Sequence, residues 1–586
     1  MTSKERLLKY YRRYWKPLTL GTLGVALSTA IGLAGPVVVR YAIDDLANLK
    51  TVNAANASMV LLRFGAIMVG LTIAKGIFLY WYRMVMVGMS RNIEYDLRNE
   101  FYGHLQKLSP HFYQEYRTGD LMARATNDLN AVRMLAGPAI MYGEGTVFNT
   151  LIALPLMFLI SWKLTLLALC SLPFVSLATQ FFSKRIHQKF EGIQEYFSTI
   201  TAQAQENFSG VRVVRAYAQE DHEIEIFQKM NREFVTRNMG LIRLSGVFTP
   251  MLQALVGLGF VAVLWYGGRQ TLSGEMTVGQ YVQFNSYLVM LIWPMIALGW
   301  VVNLFQRGMA SMNRINTILE SPPAITDKDA NPKIAKIEGE IEFRDLTFTY
   351  TGTQRPVLKN INLKIAPGQT VAIVGHTGSG KSTLVNLIPR LIDAEKGQVR
   401  IDGHPISEIP LEVLRSNIGY VPQETFLFSE TVGGNIAFGT PNATREDIKR
   451  GSENAGLIED IEGFPKGFDT MVGERGITLS GGQKQRTAIA RAVIRHPKIL
   501  LLDDALSSVD TYTEEKILSH LRGIMRGRTS LIVSHRVSTV RDADLIVVLE
   551  DGEIIERGSH DELLELGGVY AQLHEEQLLE EELAAS

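Results

Sequence analysis

The sequence predicts a polytopic α-helical membrane domain followed by a P-loop α/β domain. Apolar stretches long enough to cross a bilayer occur only before residue 310, and a glycine-rich phosphate-binding motif follows an apolar strand candidate at 370–374. The 586-residue chain is 46% hydrophobic and has a formal net charge of -1. A near-neutral charge argues against a nucleic-acid partner.

Six apolar stretches predict six transmembrane helices, because a helix needs about 20 residues to cross the hydrocarbon core. They lie at 18–42, 58–83, 137–160, 164–184, 245–267 and 278–304. Polar helical stretches at 91–136 and 184–243 are too long for simple loops. They predict long intracellular helical extensions of the spans.

Basic residues predict the orientation, because positively charged short loops stay in the cytoplasm. The segment before the first span carries six of them: Lys4, Arg6, Lys9, Arg12, Arg13 and Lys16. Both termini are therefore predicted to be cytoplasmic. The aromatic residues from Tyr10 to Trp15 favour an interfacial helix over a signal peptide.

The phosphate-binding motif is Gly375-His376-Thr377-Gly378-Ser379-Gly380-Lys381-Ser382, followed by Thr383. Glycines let the backbone N–H groups surround a phosphate, and the following helix offers its positive N-terminus. Lys381 can reach the outer phosphates, and the Ser382 hydroxyl can bind Mg²⁺. The motif predicts ATP and Mg²⁺ as cofactors.

Two further motifs follow downstream. Leu479-Ser480-Gly481-Gly482-Gln483 precedes a helical stretch, and the apolar run 499–502 ends in Asp503. A carboxylate at the end of such a strand can hold the Mg²⁺ of a nucleotide.

With this signature motif the chain resembles the ATP-binding cassette (ABC) family. The resemblance implies that Ser480, Gly481, Gly482 and Gln483 contact the γ-phosphate of ATP held by the opposite subunit. Two chains would then enclose two nucleotides, so a second half-transporter subunit is the expected partner. The segments 110–119 and 209–218 would be coupling helices that transmit closure to the spans.

The resemblance also implies roles for single residues. Tyr350 would stack on adenine, although an aromatic residue in a strand is more often part of the core. Gln423 would contact Mg²⁺ and the attacking water, Asp510 would lie in the D-loop, and His535 would contact the γ-phosphate. Residues 470–476 resemble the exporter-specific X-loop.

Asp504 departs from the family pattern, which has a glutamate as general base directly after the Walker B aspartate. The shorter side chain withdraws the carboxylate by about 1.5 Å, and a misplacement of about 1 Å can cost a hundredfold in rate. Hydrolysis at this chain's own site is therefore predicted to be weak, while ATP binding is not.

An Asp at this position with an intact signature resembles the degenerate-site half of heterodimeric bacterial multidrug exporters of the TmrAB type. The similarity extends through Ile93–Arg98 and Gly119–Met122 to the C-terminus. It implies a subunit in a bacterial inner (plasma) membrane that exports drugs, lipids or peptides by alternating access. Two alternatives remain: a homodimeric lipid or drug flippase in which Asp504 works as the base, and an ATP-gated channel or sensor.

Composition predicts the domain boundaries: a transmembrane domain at 1–320, a linker at 321–336 rich in Pro, Asp and Lys, and a nucleotide-binding ABC ATPase domain at 337–586. Within the latter, 411–457 is predicted to be a helical insertion. The single cysteine, Cys170, excludes a disulfide within the chain.

Polar and aromatic residues inside the spans are the candidates for substrate contact, because ionisable groups are costly in a membrane. The candidates are Lys75, Glu144, Gln283 and Trp293, with Gln253, Asn285 and Met295 as further possibilities. The alternative to a role in binding is that Lys75 and Glu144 pair with each other or lie at the cytoplasmic mouth.

Overall fold

The computed structural model describes residues 1–48, 54–170, 172–440, 442–473, 476, 478–505 and 511–585. Contacts between residues divide the chain into two compact units. The first unit comprises residues 1–103 and 119–320, and the second comprises 104–118 and 321–586. The predicted coupling segment at 110–119 thus lies almost wholly in the second unit.

The first part of the chain is helical. Its helices are α1 (Ser3–Arg13), α2 (Trp15–Asn48), α3 (Ala54–Leu105), α4 (Pro110–Glu115), α5 (Thr118–Ala123), α6 (Leu129–Met134), α7 (Ile140–Ile160), α8 (Trp162–Cys170), α9 (Leu172–Ser209), α10 (Val211–Ala216), α11 (Glu220–Leu272) and α12 (Val278–Glu320). Two π-helical turns, Arg124–Asp128 and Leu135–Ala139, join α5, α6 and α7. Pro138 lies in the second, where its missing N–H and its ring disturb the regular hydrogen bonding.

A helical membrane domain is confirmed. In the described part of the chain, five helices are long and apolar enough to cross a membrane: 15–47, 58–105, 118–160, 220–272 and 278–320. The fourth predicted span, 164–184, falls on α8 and α9, which lie on either side of residue 171, a position outside the described residues. Helices α3, α9 and α11 continue far beyond the predicted spans, as the polar stretches suggested.

The predicted interfacial helix is α1, and one side of it is buried. Arg6, only 7% exposed, donates hydrogen bonds to Glu100 and Asn316, and Tyr10 donates to Glu100. Because a buried guanidinium must be paired, these contacts fix α1 to α3 and α12.

The second part of the chain is an α/β domain. Its strands are β1 (Ile341–Phe348), β2 (Leu358–Ile365), β3 (Thr370–Val374), β4 (Val399–Ile401), β5 (His404–Pro405), β6 (Ile418–Val421), β7 (Ile499–Asp503), β8 (Thr529–Val533), β9 (Leu545–Glu550) and β10 (Glu553–Gly558). Its helices are α13 (Lys381–Leu387), α14 (Leu411–Ser416), α15 (Val432–Ala437), α16 (Arg445–Asn454), α17 (Ile458–Gly463), α18 (Gly481–Val493), α19 (Thr511–Met525), α20 (Val537–Val540), α21 (His560–Leu566) and α22 (Val569–Ala585).

The strands form two sheets, one of order β2-β1-β4-β5 and one of order β10-β9-β3-β8-β7-β6. Strands β9, β3, β8, β7 and β6 run parallel. Strands β7 and β8 are buried throughout, as continuous apolar runs in a parallel sheet require. The predicted helical insertion at 411–457 was partly wrong, because strand β6 lies within it and pairs with β7.

Candidate nucleotide-binding site

The candidate residues of the nucleotide site follow the carboxyl ends of four adjacent parallel strands. Gly375 follows β3, His535 follows β8, Asp503 ends β7 and is followed by Asp504, and Gln423 comes two residues after β6. The strands are neighbours in the order β3-β8-β7-β6. Since the carboxyl ends of parallel strands meet at one edge of the sheet, these residues lie at the same edge although they are spread over more than 100 positions of the sequence.

Glycine is required at the start of the phosphate-binding loop. Gly375 has a φ of 148°, and a Cβ atom there would lie 2.1 Å from the carbonyl oxygen of Leu549. Gly380, at the start of α13, has a φ of 102°. The loop therefore passes so close to β9 that only a residue without a side chain fits.

Lys381 is held inside this loop. Its Nζ donates to the carbonyl oxygens of Gly375 at 2.7 Å and His376 at 2.8 Å, and only 6% of the residue is exposed. Burial lowers the pKa of Lys381, and the nearby carboxylates of Asp504 and Asp503 oppose that shift. The ammonium group is thus positioned to attract the phosphates of a nucleotide.

Ser382 and Asp503 meet beside this lysine. The Ser382 hydroxyl donates to Oδ1 of Asp503 at 3.0 Å, and Asp503 is 2% exposed. Burial raises the pKa of Asp503, while the hydrogen bond from Ser382 lowers it. A hydroxyl and a carboxylate are oxygen ligands that Mg²⁺ prefers, so the pair fits the predicted metal.

Asp504 occupies a fixed but unusual backbone position. Its φ is 50°, in the left-handed region, and its N–H donates to the carbonyl oxygen of Val533 at 2.9 Å. Aspartate tolerates this region better than most residues with a Cβ atom. Because the backbone is held to β8, the length of the side chain decides how far the carboxylate reaches.

His535 is held by a residue that sequence reasoning missed. The Gln577 side chain in α22 donates to the carbonyl oxygen of His535 and accepts the N–H of Val537 at 2.7 Å. Burial and the charge of Lys381 lower the pKa of His535, which favours the neutral imidazole. No local motif could reveal Gln577, because it lies 42 residues further along the chain.

Tyr350 lies next to the phosphate-binding loop. Its hydroxyl is 3.1 Å from Oγ1 of Thr383, and its ring packs edge-on against Phe348 with centroids 5.0 Å apart. The residue is half-buried, which leaves part of the ring accessible for stacking. Gln423 is exposed, and Asp510 lies outside the described residues.

The signature motif forms the N-terminus of α18. Ser480 is the N-cap: its Oγ accepts the N–H of Gln483 at 3.3 Å, and the Gln483 side chain accepts the N–H of Ser480 at 3.0 Å. Gln483 also donates to Asp460 at 3.1 Å. Ser480 and Gly481 are exposed, so the helix presents its positive end on the surface of the domain. Of the X-loop residues, Glu474 and Arg475 lie outside the described positions.

The structure separates the four main substrate candidates in the membrane unit. Lys75 and Trp293 line a cavity of about 290 Å³. Glu144 instead accepts a hydrogen bond from Thr22 at 2.7 Å, and Gln283 is buried and donates to Tyr287 at 3.2 Å. Glu144 therefore bonds to α2 and not to Lys75.

The three further candidates for substrate contact, Gln253, Asn285 and Met295, are not placed at this cavity by the structure. Gln253 is exposed and Asn285 is half-buried, and neither lines that cavity; the side chain of Met295 lies outside the described part of the chain. Sequence reasoning missed Arg83, which also lines the cavity. A basic residue eight positions after Lys75 in the same predicted span was the available signal.

Comparison with known proteins agrees with this architecture. The family model of the ABC transporter transmembrane region matches residues 18–295, and the family model of the ABC transporter matches residues 358–507. A probable multidrug resistance ABC transporter ATP-binding/permease protein, YheI of Bacillus subtilis, is 40% identical over 98% of this chain and 97% of its own length.

Two other relatives are similar over nearly the whole chain. An ATP-dependent lipid A-core flippase of Syntrophus aciditrophicus is 36% identical and covers 99% of this chain and 95% of its own. The structure of a bacterial Atm1-family ABC exporter with ATP bound has a TM-score of 0.79 and 28% identity, and the match covers 97% of this chain and 98% of that one.

Proposed function

The chain belongs to the ABC transporter family as an exporter with a transmembrane region fused to one ATPase domain, and we propose that it is the degenerate-site half of a heterodimer. ATP hydrolysis drives its export activity. The proposal of a degenerate site in a heterodimer rests on one observation, the presence of Asp504 in an otherwise complete nucleotide site.

The residues of the loop bind the nucleotide. Backbone N–H groups of 375–380 surround the phosphates, Lys381 neutralises their charge, and Tyr350 stacks on the base. Ser382, Asp503 and Gln423 would hold Mg²⁺, which neutralises the phosphate oxygens when bound. All of these groups can act without the general base, so ATP binds tightly even where hydrolysis is slow.

Asp504 then makes hydrolysis slow at this site. Its backbone is held by Val533, so the missing methylene leaves the carboxylate about 1.5 Å short of the position of a glutamate. His535 contacts the γ-phosphate but does not replace the base. The site therefore acts mainly as a nucleotide clamp.

The exposed signature serves the other site. Ser480 exchanges hydrogen bonds with Gln483, and the Gln483 side chain donates to Asp460, while Ser480 and Gly481 stay exposed at the start of α18. A γ-phosphate held by a partner chain fits this positive end. We infer that this chain completes the partner's competent site, and that ATP closure opens the spans outward.

The substrates that we propose are amphipathic or hydrophobic compounds: drugs, lipids or peptides. The support is the multidrug and lipid A flippase descriptions of the relatives. We place the protein in the inner membrane with both termini in the cytoplasm, on the basic N-terminal segment. The proposed domains remain 1–320 and 337–586, joined by the linker 321–336, which carries no helix or strand.

Purification tests the proposal directly. The full-length chain is expressed alone and together with the product of its neighbouring reading frame, and oligomeric state and ATPase rate are measured. We expect a stable, ATP-hydrolysing complex only from the pair. A lone chain that dimerises and hydrolyses ATP rapidly would show that Asp504 is a working base and would support a homodimeric flippase.

A signature substitution tests the second part of the proposal. Ser480→Ala should abolish ATPase activity of the pair, because it removes a contact at the partner's site. Ser559→Ala is the matched control, since Ser559 also caps a helix with a capping box but lies outside the signature. Each substitution removes a helix cap worth about 1 kcal/mol of stability. Full ATPase activity of Ser480→Ala, or an equal loss of ATPase activity in both variants, would contradict a role of Ser480 at the partner's site.

A further inference from the structure

The cavity in the membrane unit lies between α2, α3, α7 and α12. Its volume of about 290 Å³ is near the lower end of ligand pockets. The walls contributed by α2, α7 and α12 are mainly apolar or aromatic: Val25, Met141, Tyr142, Met290, Trp293 and Ala297. A hydrophobic ring or the first part of an acyl chain fits such a surface.

Helix α3 contributes two positive charges, Lys75 and Arg83. They are eight residues apart, so they lie about 12 Å apart along one helix face. Neither forms an ion pair with another described residue, and the one carboxylate considered as a partner, Glu144, is bonded to Thr22. Unpaired cations in a membrane span are costly and mark a water-filled cavity or a binding site.

Lys75 is accommodated by a glycine of the facing helix. A Cβ atom on Gly32 would lie 3.2 Å from Cε and 3.3 Å from Nζ of Lys75, so the lysine crosses α2 at a residue without a side chain. Ser28, one turn earlier, donates to the backbone carbonyl of Lys75 at 3.4 Å. The end of the Lys75 side chain therefore lies against α2 at this glycine.

We propose that this cavity selects amphiphiles with an anionic head group, and that Lys75 and Arg83 are the charge-selecting residues. The proposal rests on the exporter function and names its substrate class. A phosphate, sulfonate or carboxylate can accept charge-assisted hydrogen bonds from a lysine or arginine of this wall and is attracted by the other charge, while the apolar part contacts Met290 and Trp293. A cationic amphiphile of the same size would meet two like charges.

Equilibrium binding tests this charge selection without relying on transport. The purified full-length complex, without ATP, is titrated with three probes that share one fluorophore and one alkyl chain but carry a phosphate, a glucoside or a trimethylammonium head group. We expect the wild type to bind the phosphate probe at least about tenfold more tightly than the ammonium probe. Equal affinities for all three probes would overturn the proposal.

Substitutions assign the selectivity to the two residues. Lys75→Gln and Arg83→Gln should each reduce affinity for the phosphate probe about tenfold, and the double variant should remove the preference. Affinity for the glucoside probe should change less than twofold, because the apolar wall is intact. A parallel loss for all probes would indicate a structural role and contradict the proposal.

Glycine substitutions test the geometry without changing charge. Gly32→Ala should displace the Lys75 side chain and resemble Lys75→Gln, whereas Gly76→Ala, where a Cβ atom meets nothing within 4 Å, should behave as wild type. If Gly32→Ala leaves phosphate binding unchanged, the placement of Lys75 is wrong.

A transport assay separates this proposal from the exporter function. Uptake of the same probes into inverted vesicles is measured with and without ATP. Selective binding without uphill transport would refute export of these compounds and leave the site intact. Transport of all probes without head-group preference would refute the site and leave the exporter function intact. Fluorescent phosphatidic acid in the bilayer, compared with the alkyl phosphate in water, identifies whether the anion comes from a lipid.

Discussion

Replacing Asp504 by glutamate is the sharpest test of the slow nucleotide site. The backbone of residue 504 is fixed by the hydrogen bond to Val533, so the substitution advances the carboxylate by about one methylene, roughly 1.5 Å. If that distance limits hydrolysis, a site that gains the glutamate should hydrolyse ATP about a hundredfold faster. The φ of 50° adds a small conformational cost for the longer residue.

The size of the expected increase in ATPase rate depends on whether the chain forms a homodimer or a heterodimer. In a homodimer of the chain, both sites gain the base, and the ATPase rate should rise about a hundredfold. In a heterodimer, the partner's competent site already sets the rate, so a second competent site can raise it only about twofold. Steady-state ATPase rates of both preparations, measured with saturating Mg²⁺ and ATP, distinguish these results.

Asp551→Glu is the matched control, because Asp551 also has a positive φ, 45°, and lies in the exposed turn between β9 and β10. It should leave the ATPase rate unchanged. An equal, strong stimulation by Asp504→Glu in both assemblies would refute the degenerate-site reasoning. No stimulation in the homodimer would show that the length of this side chain does not limit hydrolysis.

Three further predictions concern the same domain. In a homodimer of Asp504→Glu chains, where this chain's own site sets the rate, Gln577→Ala should lower the ATPase kcat about tenfold with little change in KM for ATP, since it releases His535. Gln572→Ala on the same helix should have no effect, and a changed KM at unchanged kcat would indicate a binding defect instead. In the same homodimer, because burial and Lys381 lower the pKa of His535 from 6.5, kcat should be constant from pH 7 to 8 and fall only below 6.5. The unfolded chain takes up more protons in that lower window, so stability also falls there. A decline beginning above pH 7 would contradict this prediction. Gly375→Ala places a Cβ atom 2.1 Å from a backbone oxygen and should lower the melting temperature by about 5–10 °C. Gly523→Ala, in an open position of α19, should not lower it. An unchanged melting temperature of the Gly375→Ala protein would show that the loop can move.

Much of the nucleotide site could be predicted because its chemistry is encoded in short contiguous segments. The loop 375–382, the signature 479–483 and the Asp503-Asp504 pair each sit at one end of a strand or helix whose apolar pattern is visible locally. The long spans were predictable for a similar reason, since crossing a bilayer demands a length and a composition that a single segment must satisfy. The insertion at 411–457 was misjudged because β6 is only four residues long and is stabilised by pairing with β7, about 80 residues away.

The sequence by itself thus determined the order of domains, the identity of the nucleotide motifs and the departure at Asp504. Only the tertiary structure decided which polar residues meet: Glu144 with Thr22 instead of Lys75, and Gln577 with the loop after β8. It also decided that Lys75 and Arg83 share one cavity. The physical reason is that a motif satisfies its chemistry within a few residues, whereas a buried polar group takes whatever partner the packing of distant helices brings within hydrogen-bonding distance.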